Sequence, residues 1–315
     1  QIAFWRSALA DAPEEMLLPV DRPHPASPSY VGERVHFRID EALYQRIKTL
    51  TQQEGVTPFM LLQATAAILF SRMGAGDDIT LGTAAAGRSD EAIGDLVGFF
   101  VNTLVLRVDL AANPSFRAAL ASVREYMLSA YVNQDVPFDW VVKALNPGRS
   151  SARHPLFQVM MVLQNNANTP PQLVDVQAAH QPVGLVTTKF DLLFNFDEIS
   201  GENGEVCALD AQIDFPVELF DRSTVTALAG YFVQLLQAAV ASPDRPVKNL
   251  PLLSGEQRDA LIHIGNDTFV DLPPATLAQE FARQVAKTPH HIAISCGDEQ
   301  LTYQELDARA NALAH

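Results

Sequence analysis

The nine residues Leu156–Gln164, LFQVMMVLQ, are largely apolar and do not alternate with polar positions. A run of that length, rich in Val and Met, fits a strand covered on both faces. A chain with such a strand needs a sheet with a second layer on each side of it. The stretch FMLLQATAAILF over Phe59–Phe70 is apolar nearly all round, which predicts a helix sunk in the core beside that sheet.

The remaining pattern alternates strands and helices. Arg34–Ile39 sets Val35, Phe37 and Ile39 against Arg34, His36 and Arg38, a half-buried strand. Helices are predicted at 1–9, 41–54, 58–73, 115–132, 138–145 and 217–241, the last stopped by the SPDRP turn. Thr57 followed by Pro58 has the form of a capped helix start. Further strands are predicted at 78–82, 99–108, 190–199 and 206–213, with AAAGRSD as a small-residue loop. At about 150 residues per domain, a chain of 315 has room for roughly two. The composition shifts after Pro243, and NLPLLSGEQRDALIHIGNDTFVDLPP reads as a linker. Beyond it a helix at 276–287, a strand at 292–296 and a helix at 302–313 are predicted. Local pattern alone therefore gives a mixed α/β domain followed by a short second piece.

Charge narrows the functional classes. The formal net charge is −15, with 14 basic and 17 acidic residues up to Asn168 and 8 against 20 after it. No clustered Lys and Arg face is available for phosphates, so neither nucleic acid nor an anionic membrane is an expected partner. Asp191–Asp221 holds nine acids and no Lys or Arg, and reads as a solvated face. Cys207 and Cys296 match no zinc spacing and suit a reducing cytoplasm. No run approaches the ~20 apolar residues of a membrane span, and the opening QIAFWRSAL lacks the form of a signal peptide. The absence of an initial Met suggests a position inside a longer protein or a processed chain.

No self-sufficient catalytic signature occurs: no G-x-S-x-G, no phosphate loop, no G-x-G-x-x-G and no H-E-x-x-H. His290 and His291 are adjacent but read as a solvated strand start. His154 precedes the buried strand and fits either a structural hydrogen bond or an approach to a site.

Longer segments carry a resemblance. LVGFFVNTLVLR at Leu96–Arg107, NQDVPFDWVV at Asn133–Val142 and RSSARHPLFQVMMVLQN at Arg149–Asn165 resemble three successive core motifs of nonribosomal peptide synthetase condensation domains. AFWRSAL, the DRP turn and the run from Asp77 to Arg88 fit the same family. LPLLSGEQRDALI resembles the connector to an adenylation domain, and LTYQELDARANALAH resembles that domain's first core motif.

The resemblance implies the C-terminal lobe of a chloramphenicol-acetyltransferase-like α+β two-layer sandwich over 1–242. A linker over 243–272 and a truncated adenylation start over 273–315 would follow. It implies amide formation between a carrier-bound donor acyl or peptidyl thioester and an acceptor aminoacyl thioester. The family's H-H-x-x-x-D-G motif is missing from these 315 residues, so the isolated chain is expected to be inactive. Implied partners are peptidyl carrier protein domains, the N-terminal lobe and the rest of the adenylation domain. No cofactor would bind directly: substrates ride on the carriers' 4′-phosphopantetheine, and ATP and Mg belong to the full adenylation domain. Asn102, Thr103, Gln164 and Asn165 are candidates for the wall of the phosphopantetheine tunnel, with strand-end roles as the alternative. Arg107, Arg149 and Arg153 would meet a carrier or form structural ion pairs. The third motif departs from the family pattern at Ser150, Ala152 and His154. A non-catalytic carrier-docking module, or an epimerisation or cyclisation relative of the same fold, stands as the alternative function.

Overall fold

A computed structural model describes residues 1–88, 92, 96–148, 153–164, 187–201, 203–266, 268 and 275–314. They divide into two units, Gln1–Ser254 and Gly255–His315.

The first unit is built on six strands: β1 (Gly32–Ile39), β2 (Asp78–Ala85), β3 (Asn102–Asp109), β4 (Val159–Gln164), β5 (Leu192–Ser200) and β6 (Val206–Pro216). Their order in the sheet is β1-β6-β5-β4-β2-β3. β2, β4 and β5 run parallel to one another, while β1–β6, β5–β6 and β2–β3 are antiparallel pairs. Among the described residues its α-helices are α1 (Ile2–Ala8), α2 (Glu41–Glu54), α3 (Pro58–Phe70), α4 (Phe116–Val132), α5 (Phe138–Leu145) and α6 (Arg222–Ala241).

Capping sets where three of these helices begin. Asp40, Thr57 and Ser115 each accept from the backbone N–H three residues on, satisfying a donor the helix cannot. Gly55, at φ 63°, ends α2 in the left-handed region. The predicted helix 58–73 ends its regular α-turns at Phe70 and continues as a wider turn over Ser71–Ala75, because Gly74 takes φ 96°. The SPDRP turn does more than stop α6. Its Pro243 and Arg245 carbonyls accept from the Arg117 and Phe116 amides at the start of α4.

α2, α3, α4 and α6 share the larger apolar core, where Phe70, Phe194, Phe196 and Phe232 meet at centroid distances of 5.7–6.4 Å. A smaller core joins Trp5, Val141, Phe157 and Met160, bringing α1 and α5 against the opposite side of β4. β4 is therefore covered on both faces, as its run of apolar residues predicts. By length and composition α6 is apolar enough to cross a membrane, a property the sequence reading missed. Its Val225, Leu228, Phe232, Leu235 and Leu236 are instead buried in the larger core.

The outer face of β1, β6 and β5 is polar, and here the acidic run finds its counter-charges. Arg34 binds Asp214 with two hydrogen bonds, Arg38 pairs with Asp210 and Lys48 with Glu205. Arg22 reaches Asp221. Four acids of the run thus pair with cations of the segment 22–48, Asp214 and Asp210 through the β1–β6 register, while Asp210, Glu205 and Asp221 stay more than half exposed, as a solvated face predicts.

The second unit contains α7 (Gly255–Asn266), α8 (Leu277–Lys287), the hairpin β7 (Ile292–Cys296) with β8 (Glu299–Thr302), and α9 (Tyr303–Ala314). α7 is a twelve-residue helix inside the predicted linker. α8 begins with a reciprocal cap between Thr276 and Gln279, and Phe281 packs on Tyr303 at 6.2 Å. His290 and His291 are exposed at the entry to β7.

Candidate functional site

β3 begins at Asn102, whose side chain is fully engaged. Its amide nitrogen donates to the Gln134 and Val136 carbonyls at 2.7 and 2.8 Å, and its oxygen accepts from the Phe138 and Thr103 amides. It thereby ties the start of β3 to the turn that launches α5. Thr103 is half-buried beside it, and Gln164 is exposed at the far end of β4. Asn165 and Arg149 lie outside the described residues.

Arg107 sits on β3 opposite Thr80 and grips Asp78 through Nε and Nη2, at 2.9 and 2.7 Å. Its Nη1 donates to the Ala8 and Ala10 carbonyls. The Asp78 bond, ahead of the opposing effect of burial, raises its pKa further. The guanidinium is thus spent on holding the end of α1 to the sheet edge.

Just before β3, the segment Leu96–Val101 presents apolar groups to solvent: Val97 is fully exposed and Phe99 is 92% exposed. The chain turns tightly behind them. Gly87 has φ 66°, and an added Cβ there would stand 1.9 Å from the Phe100 carbonyl oxygen. Arg88 lies over the Phe100 ring at 4.5 Å and donates to the Leu96 carbonyl.

Arg153 leads to a different place. A cavity of about 520 Å³ opens where the proline-punctuated connector passes the starts of β4 and β5. Pro25, Tyr30, Pro155, Phe190 and Leu219 give it apolar walls, and Lys189 and Glu218 add charge. In its wall the Asp191 carboxyl group and His24 Nε2 share a hydrogen bond at 2.8 Å. Arg153 Nη2 stands 3.5 Å from His24 Nδ1 and 2.7 Å from the Glu15 carboxylate. Burial raises the Asp191 pKa, against the opposing pull of His24 and Arg153. His154 lines the same cavity, stacked on Phe138 at 5.4 Å and packed on Phe157 and Phe190. Burial lowers its pKa, so the ring is neutral at pH 7.

Sequence reasoning named Arg153 and His154 but not Glu15, His24 or Asp191. His24 and Asp191 are 167 residues apart, so no local spacing joins them; the one sequence signal was that Asp191 opens the acidic run. The arrangement can hold and move a proton between His24 and Asp191. Among the described residues no group of three or more His, Cys, Asp or Glu could hold a metal ion.

A family model described as the condensation domain matches residues 1–262. The chain is 40% identical over 314 residues to a dimodular nonribosomal peptide synthase of Bacillus subtilis (strain 168), and covers 13% of that protein. It is 38% identical over 318 residues to an isonitrile lipopeptide synthase of Mycobacterium tuberculosis, and covers 13% of it. Both alignments take in all of this chain, which therefore spans only a small part of these relatives. Among solved structures, the X-domain from teicoplanin biosynthesis aligns with a TM-score of 0.76 at 30% identity, over 80% of this chain and 56% of that one. A four-domain nonribosomal peptide synthetase bound to AMP and glycine aligns with a TM-score of 0.81 over 99% of this chain and 24% of that one. At 21% identity this second likeness speaks for the fold alone.

Proposed function

The chain belongs to the condensation-domain family, and from that premise we propose that it is the C-terminal lobe of a nonribosomal peptide synthetase condensation domain followed by the start of an adenylation domain. The parent reaction is attack of an acceptor aminoacyl-thioester amine on a carrier-bound donor thioester, forming an amide and releasing the donor carrier's thiol. Positioning and help with proton transfer are the main work of such a site. The observation that carries this reading is the family match over 1–262, which includes all three motif segments in order.

In this reading the 315 residues alone do not catalyse, because they contain no H-H-x-x-x-D-G. Exposed Val97 and Phe99, held out by the turn at Gly87, favour an N-terminal lobe as the group that covers them. Thr103, Gln164 and Asn165 remain proposed tunnel-wall residues, with Asn102 anchoring the strand end beside them and Arg149 a proposed carrier contact. Carrier domains bring the substrates on 4′-phosphopantetheine in the cytoplasm, and ATP and Mg serve only a complete adenylation domain.

The test is amide formation from carrier-loaded donor and acceptor. No product is expected from the chain alone, and product is expected when it is fused to a condensation-domain N-terminal lobe bearing the histidine motif. Turnover by the chain alone at the fused protein's rate overturns the fragment reading. Carrier binding without turnover by the fused protein favours a docking module.

A further inference from the structure

We propose that the cavity at the starts of β4 and β5 is a binding site for a small carboxylic acid with an apolar body, its carboxylate held by Arg153, Thr188 and Lys189.

The wall of this cavity is where the fold leaves polar groups unspent. Among the described residues, six bury a side-chain polar atom without a hydrogen-bond partner, and Arg153, His154 and Thr188, three of the six, line this cavity. Thr188 is only 4% exposed, so bulk water does not serve its hydroxyl. An unpaired buried polar group costs stability, and three in one wall point to a surface shaped for a guest as well as for the fold. Because β2, β4 and β5 run parallel, the cavity lies at the other end of the sheet from Gln164, and from Asn102, which pairs with Ala85 at the end of β2.

The chemistry left over favours an anion. Arg153 approaches Glu15 at 2.7 Å and His24 through the same Nη2, which leaves the Nε edge, the one that meets a carboxylate side-on. The Thr188 hydroxyl is a second donor. Lys189, exposed in the lining, has no partner among the described residues. The two acids of the lining are already answered, Asp191 by His24 and Glu218 by the Ser29 amide. The unpaired atoms of Arg153 and Thr188 lie beneath the cavity surface, and side-chain rotation towards a bound carboxylate brings them to it. Pro25, Tyr30, Pro155, Phe190 and Leu219 supply apolar walls, and about 520 Å³ accommodates a ring on a short acid chain.

The test is titration of the 315-residue chain with 3-phenylpropionate, its neutral amide and 3-phenylpropylamine, read from backbone amide signals. The acid should bind saturably, move the signals of Thr188, Phe190 and Leu219, and bind more tightly than the amide or the amine. No saturable movement of those signals overturns the proposal, as does equal or tighter binding of the amide or the amine. Arg153→Gln should weaken the acid by about tenfold or more. Thr188→Val should weaken it by about threefold or more while leaving the free chain no less stable. A loss of stability in that variant means the hydroxyl is already used by the fold, and overturns its role. If Arg153→Gln fails to fold, Lys189→Gln and Thr188→Val decide: unchanged acid binding in both overturns the site.

Discussion

The two halves of the six-stranded sheet solve the same burial problem differently. β4, β2 and β3 carry apolar side chains on both faces and have a second core on the outer side, formed with α1, α5 and Phe157. β1, β6 and β5 alternate, with Phe37, Phe194 and Ile213 inward and Arg34, Asp214 and Asp210 outward. The first half is held by close packing, where a methyl group matters. The second is held on one side by charges that water can partly replace. Perturbing the outer face should therefore be costly in one half and cheap in the other.

The sharpest break should come at Phe157, which is fully buried. Phe157→Ala is expected to lower stability by about 3–5 kcal/mol in urea unfolding. Gly82 should come next. A Cβ there would stand 2.1 Å from the Phe157 ring, so Gly82→Ala should lower stability by about 1–3 kcal/mol. Because the two residues touch, the double variant should lose less than the sum of the single losses. A loss under about 1 kcal/mol for Phe157→Ala would remove the distinction between the halves.

On the charged side the expected effects are smaller. Asp214→Asn keeps the shape but weakens the Arg34 pair. Asp214 is buried, but Arg34 still reaches water, so about 1–2 kcal/mol is expected. The smallest effect should be a gain. Asp197 faces Asp210 directly across the β5–β6 ladder, and its pKa is raised by burial first and by Asp210 second. A raised carboxyl favours the protonated form in the fold, so ionising it costs stability as pH rises through the folded pKa. Asp197→Asn should therefore stabilise at pH 7 by a few tenths of a kcal/mol. That advantage should fade as pH is lowered through the carboxylate range, as thermal melts at pH 7 and pH 4 would show.

The packed half was easier to read from sequence than the charged half. The apolar run at β4 announced a strand with two covered faces, and Thr57 before Pro58 announced a helix start; the caps at Asp40 and Ser115 came to light only in the structure. The boundaries failed where local composition misleads. The small residues Ala84 and Ala85 resemble a loop but pair with Thr103 and Asn102. Leu156 belongs to the apolar run, yet at φ 70° it stands outside the strand, which starts at Val159. β8, only four residues long, was missed. Arg107 carried ion pairing as one of its two readings, but its partner Asp78 could not be named, because only the β2–β3 pairing brings the two together. The ion pairs of the acidic run and the His24–Asp191 contact were illegible for the same reason: each depends on a register between distant segments.

Among the described residues β1 pairs in the sheet with β6 alone, which lies more than 160 residues further along the chain. On a ribosome, residues 32–39 emerge long before 206–216, so the strand waits with its ladder unpaired while most of this unit is made. Closing so large a loop is slow, and an unpaired apolar edge is where nascent chains associate with one another. Arg34 and Arg38 give the waiting strand a cationic side, the feature that discourages edge-to-edge pairing. The residues that later neutralise the acidic strand thus also guard the growing chain before that strand exists.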